Sequence, residues 1–227
     1  GPNYIQFGLR YSSDIVDNNN LGLTFGYTTT PLNKWNGEWR SILKLGQEPA
    51  LITELYQPLG EGSPYYVDGS LYWINQRFNL FDDGEKIAQI RSRQFGATGA
   101  VGVTLGNWGD LRVGYNRFFS SNSAEVGASG DEGMDSDGGE VFARFRLDTF
   151  DSVYFPTSGA SGVVEWLGSR TDLGADNDFD QALFDLSGAA TFGSHTFILG
   201  GRYQTTFNGI APIQNNFRLG GLFNLPG

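Results

Sequence analysis

Few residues in this chain could carry out covalent or metal chemistry. The 227-residue sequence has no cysteine and one histidine, His195, which excludes a thiol nucleophile, a cysteine metal site and a histidine cluster for zinc or non-haem iron. The G-x-S-x-G pattern that presents a nucleophilic serine is also absent. We therefore predict no catalytic residue, metal or cofactor in this segment, and we interpret His195 as a turn or rim residue.

Two short patterns combine charged side chains with residues that shape turns. The first is Asp148-x-x-Asp151-x-x-x-Phe155-Pro156-x-x-Gly159. Its aspartates can accept hydrogen bonds from turn amides, its proline fixes φ and its glycine allows a tight exit. The second is Phe217-Arg218-Leu219-Gly220-Gly221. A guanidinium has five donors and can hold a carboxylate; the alternative is a solvated arginine in an irregular tail.

The composition is typical of a β-rich protein with an uneven distribution of charge. The chain has 33 glycines and 33 aromatic residues (5 Trp, 10 Tyr and 18 Phe), against a usual glycine share of about 7%. Its 15 basic and 25 acidic residues give a net charge of -10, which argues against nucleic acid as a partner. Ten acids lie in the segments 125–140 and 172–180, which contain no lysine or arginine. The remaining 15 acids balance the 15 bases, so the rest of the chain is neutral.

Apolar residues alternate with small, polar or charged ones along eleven stretches of the sequence. In the first, the odd positions from Ile5 to Tyr11 are apolar, and the even positions from Gln6 to Ser12 are polar or glycine. Successive side chains of a strand point to opposite faces, so each stretch predicts a strand with one apolar face. The other face is rich in Gly, Thr and Ser with scattered Arg, which is typical of a water-filled lumen.

The connections between these strands alternate in character. Mostly short turns are expected on the inner side, at 33–37, 58–64, 107–110, 149–158 and 193–194. Long acidic connections, 121–139 and 170–180, are expected on the outer side. This asymmetry is typical of outer-membrane barrels, whereas a soluble β-sandwich or jelly roll does not require it. The sequence therefore predicts an all-β, transmembrane antiparallel β-barrel of the outer-membrane type.

Two features qualify this prediction. Arg91 and Arg93 share the parity of the apolar Val101 and Val103, and an arginine facing lipid at mid-depth costs about 2–4 kcal/mol. We interpret residues 74–95 as a long hairpin that projects beyond the membrane around residues 82–84. No apolar run is long enough for a transmembrane helix and no signal peptide opens the sequence, so we expect a mature chain or a segment of a longer one.

The two turn-shaping patterns also carry a family resemblance. The pattern from Asp148 to Gly159 resembles the D-x-x-D-x-x-x-F-P-x-x-G turn of the BamA-like bacterial surface-antigen superfamily. The Arg218 pattern resembles the Arg-Gly motif of its sixth outer loop, although the usual form is V-R-G-Y or V-R-G-F. The resemblance implies that residues 1–227 supply 11 of 16 strands and the start of that loop. It also implies that Arg218, Gly220 and Gly221 anchor the loop in the lumen, against a later strand.

A narrower resemblance concerns the upstream part of the parent chain. Gly1-Pro2-Asn3-Tyr4-Ile5-Gln6-Phe7-Gly8, with the Arg218 pattern and Asn224-Leu225, is most similar to barrels that follow a patatin-like phospholipase domain. This implies a serine phospholipase or esterase in the parent chain, although the segment itself is no enzyme. Asp137-Gly138-Gly139 mimics the D-G-G of those enzymes, but without a serine elbow we interpret it as turn chemistry.

The function expected from these resemblances is that of a bacterial outer-membrane barrel in protein secretion, surface display or membrane assembly. It would anchor or translocate an N-terminal patatin-like passenger, with the weakly paired residues 3–13 at a lateral seam. The expected partners are the lipid bilayer, the missing C-terminal strands, the patatin-like domain and periplasmic transport repeats, without nucleic acid.

Two alternatives remain open at this point. One is an anchor of a phospholipase with no transport role, and the other is a soluble β-sandwich binding module. The sandwich predicts a monomer that needs no detergent. The barrel predicts detergent dependence and tolerance of small polar changes at Thr24, Thr98 or Gly102.

Overall fold

Each of the eleven alternating stretches forms a β-strand in the computed structural model, which describes residues 3–13, 19–82, 85–126, 135–212 and 215. The strands are β1 Asn3–Ser13, β2 Asn19–Thr29, β3 Glu38–Gly46, β4 Ala50–Pro58, β5 Tyr65–Asp82, β6 Glu85–Thr104, β7 Gly109–Val126, β8 Asp135–Asp148, β9 Gly159–Ser169, β10 Phe179–Phe192 and β11 His195–Gly209. One 3-10 turn, Thr171–Leu173, lies between β9 and β10. Within the described ranges, no helix is long and apolar enough to cross a membrane.

The strands form one antiparallel sheet in which spatial order equals chain order. Short connections of this kind favour antiparallel neighbours, because a parallel pair would need a long crossover. The predicted all-β antiparallel fold with eleven strands is confirmed. Among the described residues the sheet is not closed, so β1 and β11 are its two edges.

The two faces of the sheet differ as the sequence parity predicts. Apolar side chains on the convex face are largely uncovered, as for Phe7 (76% exposed) and Val101 (54% exposed). The concave face carries the small and polar positions and encloses a cavity lined mainly by charged and hydroxyl side chains. In the described part of the chain no second sheet covers the apolar face, which contradicts the β-sandwich alternative.

Aromatic rings on the concave face pack over glycines of the neighbouring strand. Tyr66 of β5 pairs with Gly102 of β6, and a Cβ added at Gly102 would lie 2.3 Å from the Tyr66 ring. The arrangement recurs at three more cross-strand pairs, Tyr72 with Gly96, Phe142 with Gly114, and Phe118 with Gly138. Such glycines provide the space that lets a large ring lie against the sheet.

This packing corrects one sequence-based expectation. Gly102 cannot accept a side chain without displacing Tyr66, which is only 5% exposed. The Thr98 hydroxyl donates a hydrogen bond to Asn116 at 3.0 Å, so it is not a neutral position either. Tolerance of small polar changes is therefore wrong for Gly102, whereas tolerance at Thr98 and Thr24 stays a prediction and requires at Thr98 a residue that keeps the hydroxyl.

Two of the longest strands, β5 and β6, form the hairpin that the sequence predicts to project beyond the membrane. β5 has 18 residues and β6 has 20, with a register shift at Leu80/Phe81. Arg93 pairs with Asn75 and lies on the convex face, as its parity predicts. The tip of the hairpin at 83–84 lies outside the described residues.

The strands also extend into a segment predicted as a loop. β7 continues to Val126 and β8 begins at Asp135, so most of the expected outer connection 121–139 is paired strand. The pairing of Ser121 with Asp135 starts this extension. Alternation was hidden there because polar residues occupy both faces above the apolar part of the wall.

We predict that Gly102→Ala destabilises the protein and that Gly99→Ala does not. The new methyl group at 102 overlaps the Tyr66 ring and disturbs its hydrogen bond to Asp110, which is 2.9 Å long; overpacking of this kind costs about 1–3 kcal/mol. Gly99 has no heavy atom within 4 Å of an added Cβ. Urea unfolding of both variants tests this, and equal midpoints would contradict the packing argument.

Candidate functional site

The concave face carries a polar network across the central strands β5 to β9. Arg112 of β7 forms an ion pair with the buried Asp68 of β5, with 2.8 Å between Nη1 and Oδ2. Arg144 of β8 pairs with Glu165 of β9. These side chains line a cavity of about 480 Å³. Because acids and bases alternate across adjacent strands, the wall is hydrophilic and locally neutral.

Glu140 of β8 is the most buried acid of this face, at 3% exposure. The Asn116 amide nitrogen donates a hydrogen bond to its Oε2 at 2.9 Å. Asn116 is itself held by the hydroxyls of Tyr72 and Thr98, which donate to its Oδ1 at 2.9 and 3.0 Å. A buried carboxylate requires such donors, because an unpaired polar group away from water costs about 1–3 kcal/mol or more.

The second donor to Glu140 comes from the segment after β11. The Asn215 amide nitrogen donates to Glu140 Oε1 at 2.6 Å, although 75 residues separate the two. Gln181 of β10 donates to the Asn215 carbonyl at 2.9 Å and to the Thr206 hydroxyl at 3.0 Å. These contacts bring the described part of this segment into the concavity of the sheet.

The turn between β8 and β9 contains the first pattern singled out from the sequence. Asp148 accepts a hydrogen bond from the Phe150 amide at 3.2 Å. Gly159 has φ +105°, and a Cβ there would lie 2.2 Å from the Thr149 carbonyl oxygen. Pro156 is buried, whereas Phe155 is 84% exposed. The turn backbone is thus constrained by capping and by a glycine-only conformation.

Asp151 is the main cap of this turn. Its Oδ1 accepts hydrogen bonds from the amides of Thr157 and Ser158 at 2.8 and 3.2 Å, and its Oδ2 accepts from the Thr157 hydroxyl. The Thr157 hydrogen bonds are the largest cause of a lowered pKa of the Asp151 carboxyl, about 2. Hydrogen bonds to the charged form stabilise it and so favour ionisation.

Several acids at the outer rim have arginine partners. Asp137 pairs with Arg117 at 2.7 Å, and Asp180 pairs with Arg170 at 2.7 Å. Glu140 belongs to the concave network instead. The prediction of ten acids without compensating bases is therefore wrong for Asp137 and Asp180, because Arg117 of β7 and Arg170 at the end of β9 lie beside them.

The β9–β10 connection packs sideways against β7 and β8. The Tyr115 hydroxyl donates to the Leu173 carbonyl at 2.6 Å, and the Asp137 amide donates to Asp176 Oδ2 at 2.7 Å. The Asp137-Gly138-Gly139 segment lies within β8, so its interpretation as turn chemistry is wrong. These residues form paired strand that holds an outer connection.

Comparison with solved structures shows which fold this wall belongs to. A crystal structure of BamA from Haemophilus ducreyi, lacking POTRA domains 1–3, matches with a TM-score of 0.77 at 14% sequence identity. The match covers 97% of this chain and 44% of the BamA chain. The fold is that of a BamA-like barrel. No family model matches the sequence, and no curated protein does.

The match confirms the BamA-like barrel fold that the coarser resemblance implies, and the chain spans less than half the length of the BamA chain it matches. Arg218, Gly220 and Gly221 lie outside the described residues, so their anchoring role stays a prediction. Sequence reasoning missed the contact between Asn215 and Glu140. One signal in the sequence could have placed Glu140 on the concave face rather than in a loop: Glu140 has the same even parity as Arg144.

We predict that Glu140→Ala releases the segment after β11 from the BamA-like wall. The substitution removes the acceptor of the Asn215 hydrogen bond, and a hydrogen bond to a charged group contributes about 1.5–3 kcal/mol. Its loss corresponds to about a tenfold or larger rise in the fraction of molecules in which this segment is detached from the concave face. Limited proteolysis of the detergent-purified protein measures cleavage at residues 210–216. Glu54→Ala removes another concave carboxylate and is the matched control; equal cleavage rates in both would refute the contact.

We also predict that Asp151→Asn weakens the β8–β9 turn in a pH-dependent way. Because the folded pKa of about 2 lies below the unfolded value of about 3.9, the stabilisation is full above pH about 4 and is lost as the pH falls through about 2. The difference in unfolding midpoint between wild type and variant should shrink over this window. Asp172→Asn in the β9–β10 connection is the control. A difference that stays constant from pH 6 to pH 2 contradicts the prediction.

Proposed function

We propose that this chain is the outer-membrane β-barrel module of a bacterial protein that secretes, displays or assembles other proteins. The observation that carries the proposal is the BamA-like sheet with an uncovered apolar convex face and a polar concave face entered by the segment after β11. In water, an apolar face of this extent would favour association or aggregation. In a bilayer it contacts acyl chains, and the strands satisfy their backbone groups through one another.

The placement of tryptophan supports a membrane location. All five tryptophans are between 38% and 46% exposed. Trp39 and Trp108 lie at the inner end of the sheet. Trp166 lies in the outer half of β9, and Trp73 lies at the middle of the longer β5, opposite the outer end of β4. Aromatic girdles at both interfaces are typical of transmembrane barrels. This arrangement orients the turn at Asp151 toward the periplasm and the acidic connections toward the exterior.

The edges of the sheet support closure by further strands. β1 pairs with β2 alone, and β11 with β10 alone, among the described residues. Unpaired N–H and C=O groups in hydrocarbon cost several kcal/mol each. We propose that later strands of the same barrel pair with β11, and that the last of them meets β1 at the seam.

The segment after β11 supports a transport role rather than a plain anchor. An anchor needs only a stable wall, whereas Glu140 and Gln181 hold a chain segment inside the concavity. We propose that Arg218 extends this attachment to a carboxylate of a later strand, so that the segment controls the lumen and the seam. The passenger that we propose is an upstream patatin-like phospholipase domain, which rests on the sequence resemblance.

We predict that the protein fractionates with the outer membrane, resists extraction by urea, and displays its passenger at the cell surface. Arg218→Ala should leave the barrel inserted and reduce surface display about tenfold, because a charge-assisted pair of about 1.5 kcal/mol or more is lost. Protease accessibility of an N-terminal epitope tag in intact cells measures display. Arg202→Ala, which removes a half-exposed pair with Asp185, is the matched control with a small effect.

Three outcomes would contradict parts of this proposal. Extraction by urea without detergent would refute the membrane barrel. Undiminished display in Arg218→Ala would refute control by the segment after β11 and favour a phospholipase anchor without a transport role. A parent sequence with periplasmic transport repeats and no G-x-S-x-G would refute the patatin-like passenger and leave the assembly barrel.

A further inference from the structure

The side chain of Asn116 lies at the centre of the polar network on the concave face. Asn116 belongs to β7, and its register partners are Thr98 of β6 and Glu140 of β8. Paired residues face the same side of a sheet, so these three side chains form a row across three strands. The Cβ atoms of directly opposite residues lie about 4.5–5.5 Å apart, which lets short polar side chains reach one another.

A fourth side chain joins this row from β5. Tyr72 pairs with Gly96 of β6 rather than with Thr98, so its ring must cross β6 to reach Asn116. Gly96 makes the crossing possible, because a Cβ at that position would lie 2.5 Å from the Tyr72 hydroxyl oxygen. The hydroxyl then donates a hydrogen bond to Asn116 Oδ1 at 2.9 Å. Four adjacent strands thus contribute one side chain each to the row.

The chemistry of these groups fixes the direction of hydrogen bonding along the row. The oxygen of Asn116 accepts from the hydroxyls of Tyr72 and Thr98 at 2.9 and 3.0 Å. Its nitrogen donates to Glu140 Oε2 at 2.9 Å. A carboxylate only accepts, so it binds the nitrogen end of an amide and not the oxygen end. Three hydrogen bonds therefore hold Asn116 in one orientation.

The carboxylate of Glu140 carries this orientation to the segment after β11. Asn116 occupies Oε2, and Oε1 accepts from the Asn215 amide nitrogen at 2.6 Å. Because both oxygens belong to one planar group, the donor on Oε2 also sets the direction in which Oε1 points. With a donor on each oxygen, the buried carboxylate acts at both ends as an acceptor.

We propose that Asn116 is the positioning residue for the attachment of the segment after β11. It acts through Glu140, whose carboxylate it turns toward Asn215, and hydroxyls from β5 and β6 hold it in place. The attachment therefore depends on the spacing of four strands, and a change in the curvature of the wall between β5 and β8 alters the hold on the segment. Control of the lumen by this segment rests on the proposed function.

An exchange of the amide and the carboxylate tests this role. In Asn116→Asp two acceptors face each other, and in Glu140→Gln a single amide oxygen serves only one of two donors. Limited proteolysis of the detergent-purified protein should show that each single change raises cleavage at residues 210–216 at least about tenfold, the equivalent of about 1.4 kcal/mol.

The double variant, Asn116→Asp with Glu140→Gln, restores both contacts and keeps the net charge. The new amide donates to the new carboxylate on β7, and its oxygen accepts from Asn215. Cleavage should return to within about threefold of wild type, the equivalent of about 0.7 kcal/mol. A side chain that merely stabilised the wall would not be rescued by this exchange.

A second pair of variants isolates the hydroxyl that holds Asn116. Tyr72→Phe removes only that oxygen and should raise cleavage of the segment about three- to tenfold, the equivalent of about 0.7–1.4 kcal/mol. Tyr66→Phe is the matched control. Tyr66 also lies over a glycine of β6, but its hydroxyl donates to Asp110 at 2.9 Å, outside this row, so the cleavage rate should not change.

Two results would overturn the proposal. One is fast cleavage in the double variant when its heat-dependent gel mobility equals that of wild type. The other is equal cleavage in Tyr72→Phe and Tyr66→Phe, which change no charge and decide the question if the double variant does not fold. Surface display of the passenger tests the proposed function separately. Restored attachment in the double variant, with equal display in all variants, would support the role of Asn116 and refute control by the segment.

Discussion

The hydrogen bonding of each strand to its neighbours is the constraint on which the rest of this structure depends. A wall made of a single β-sheet has no core in which to bury its peptide groups. Its backbone donors and acceptors must therefore be satisfied by the adjacent strands. Eleven strands in strict chain order meet this demand with short connections. Once the backbone is paired, each side chain points either to the convex or to the concave face, and its odd or even position in the strand decides which.

The concave face shows how such a wall is stiffened without a conventional core. Rings such as Tyr66 lie over glycines of the next strand, and ion pairs such as Arg112 with Asp68 cross from β7 to β5. Both devices link strands through side chains rather than through the backbone. They require that glycine, aromatic and charged positions occur opposite one another, which accounts for part of the high glycine and aromatic content.

Sequence reasoning predicted the features that depend on periodicity and failed on those that depend on distant pairing. Strand number, direction and the facing of Arg93 followed from a two-residue repeat. The extension of β7 to Val126 did not, because both faces are polar there and the repeat disappears. The contact of Asn215 with Glu140 joins residues 75 positions apart, and the register of the three intervening strands, β9 to β11, brings them together. Arg117 and Asp137 lie on adjacent strands, but Asp137 falls in the polar extension of β8 where the repeat disappears.

The distribution of cross-strand side-chain contacts makes the wall unequal along its circumference. Polar pairs concentrate on β5 to β9, where separating two strands would leave the charges of both partners unpaired. On β1 and β2, the described concave positions are small or uncharged, as at Gly8, Thr24 and Gly26, and the ring contact between Phe7 and Phe25 lies on the convex face. Backbone bonds therefore supply most of the cohesion of that edge. The β1–β2 junction can therefore open at lower cost than any junction between β5 and β9, since the described side chains of β1 and β2 form no ion pair across it.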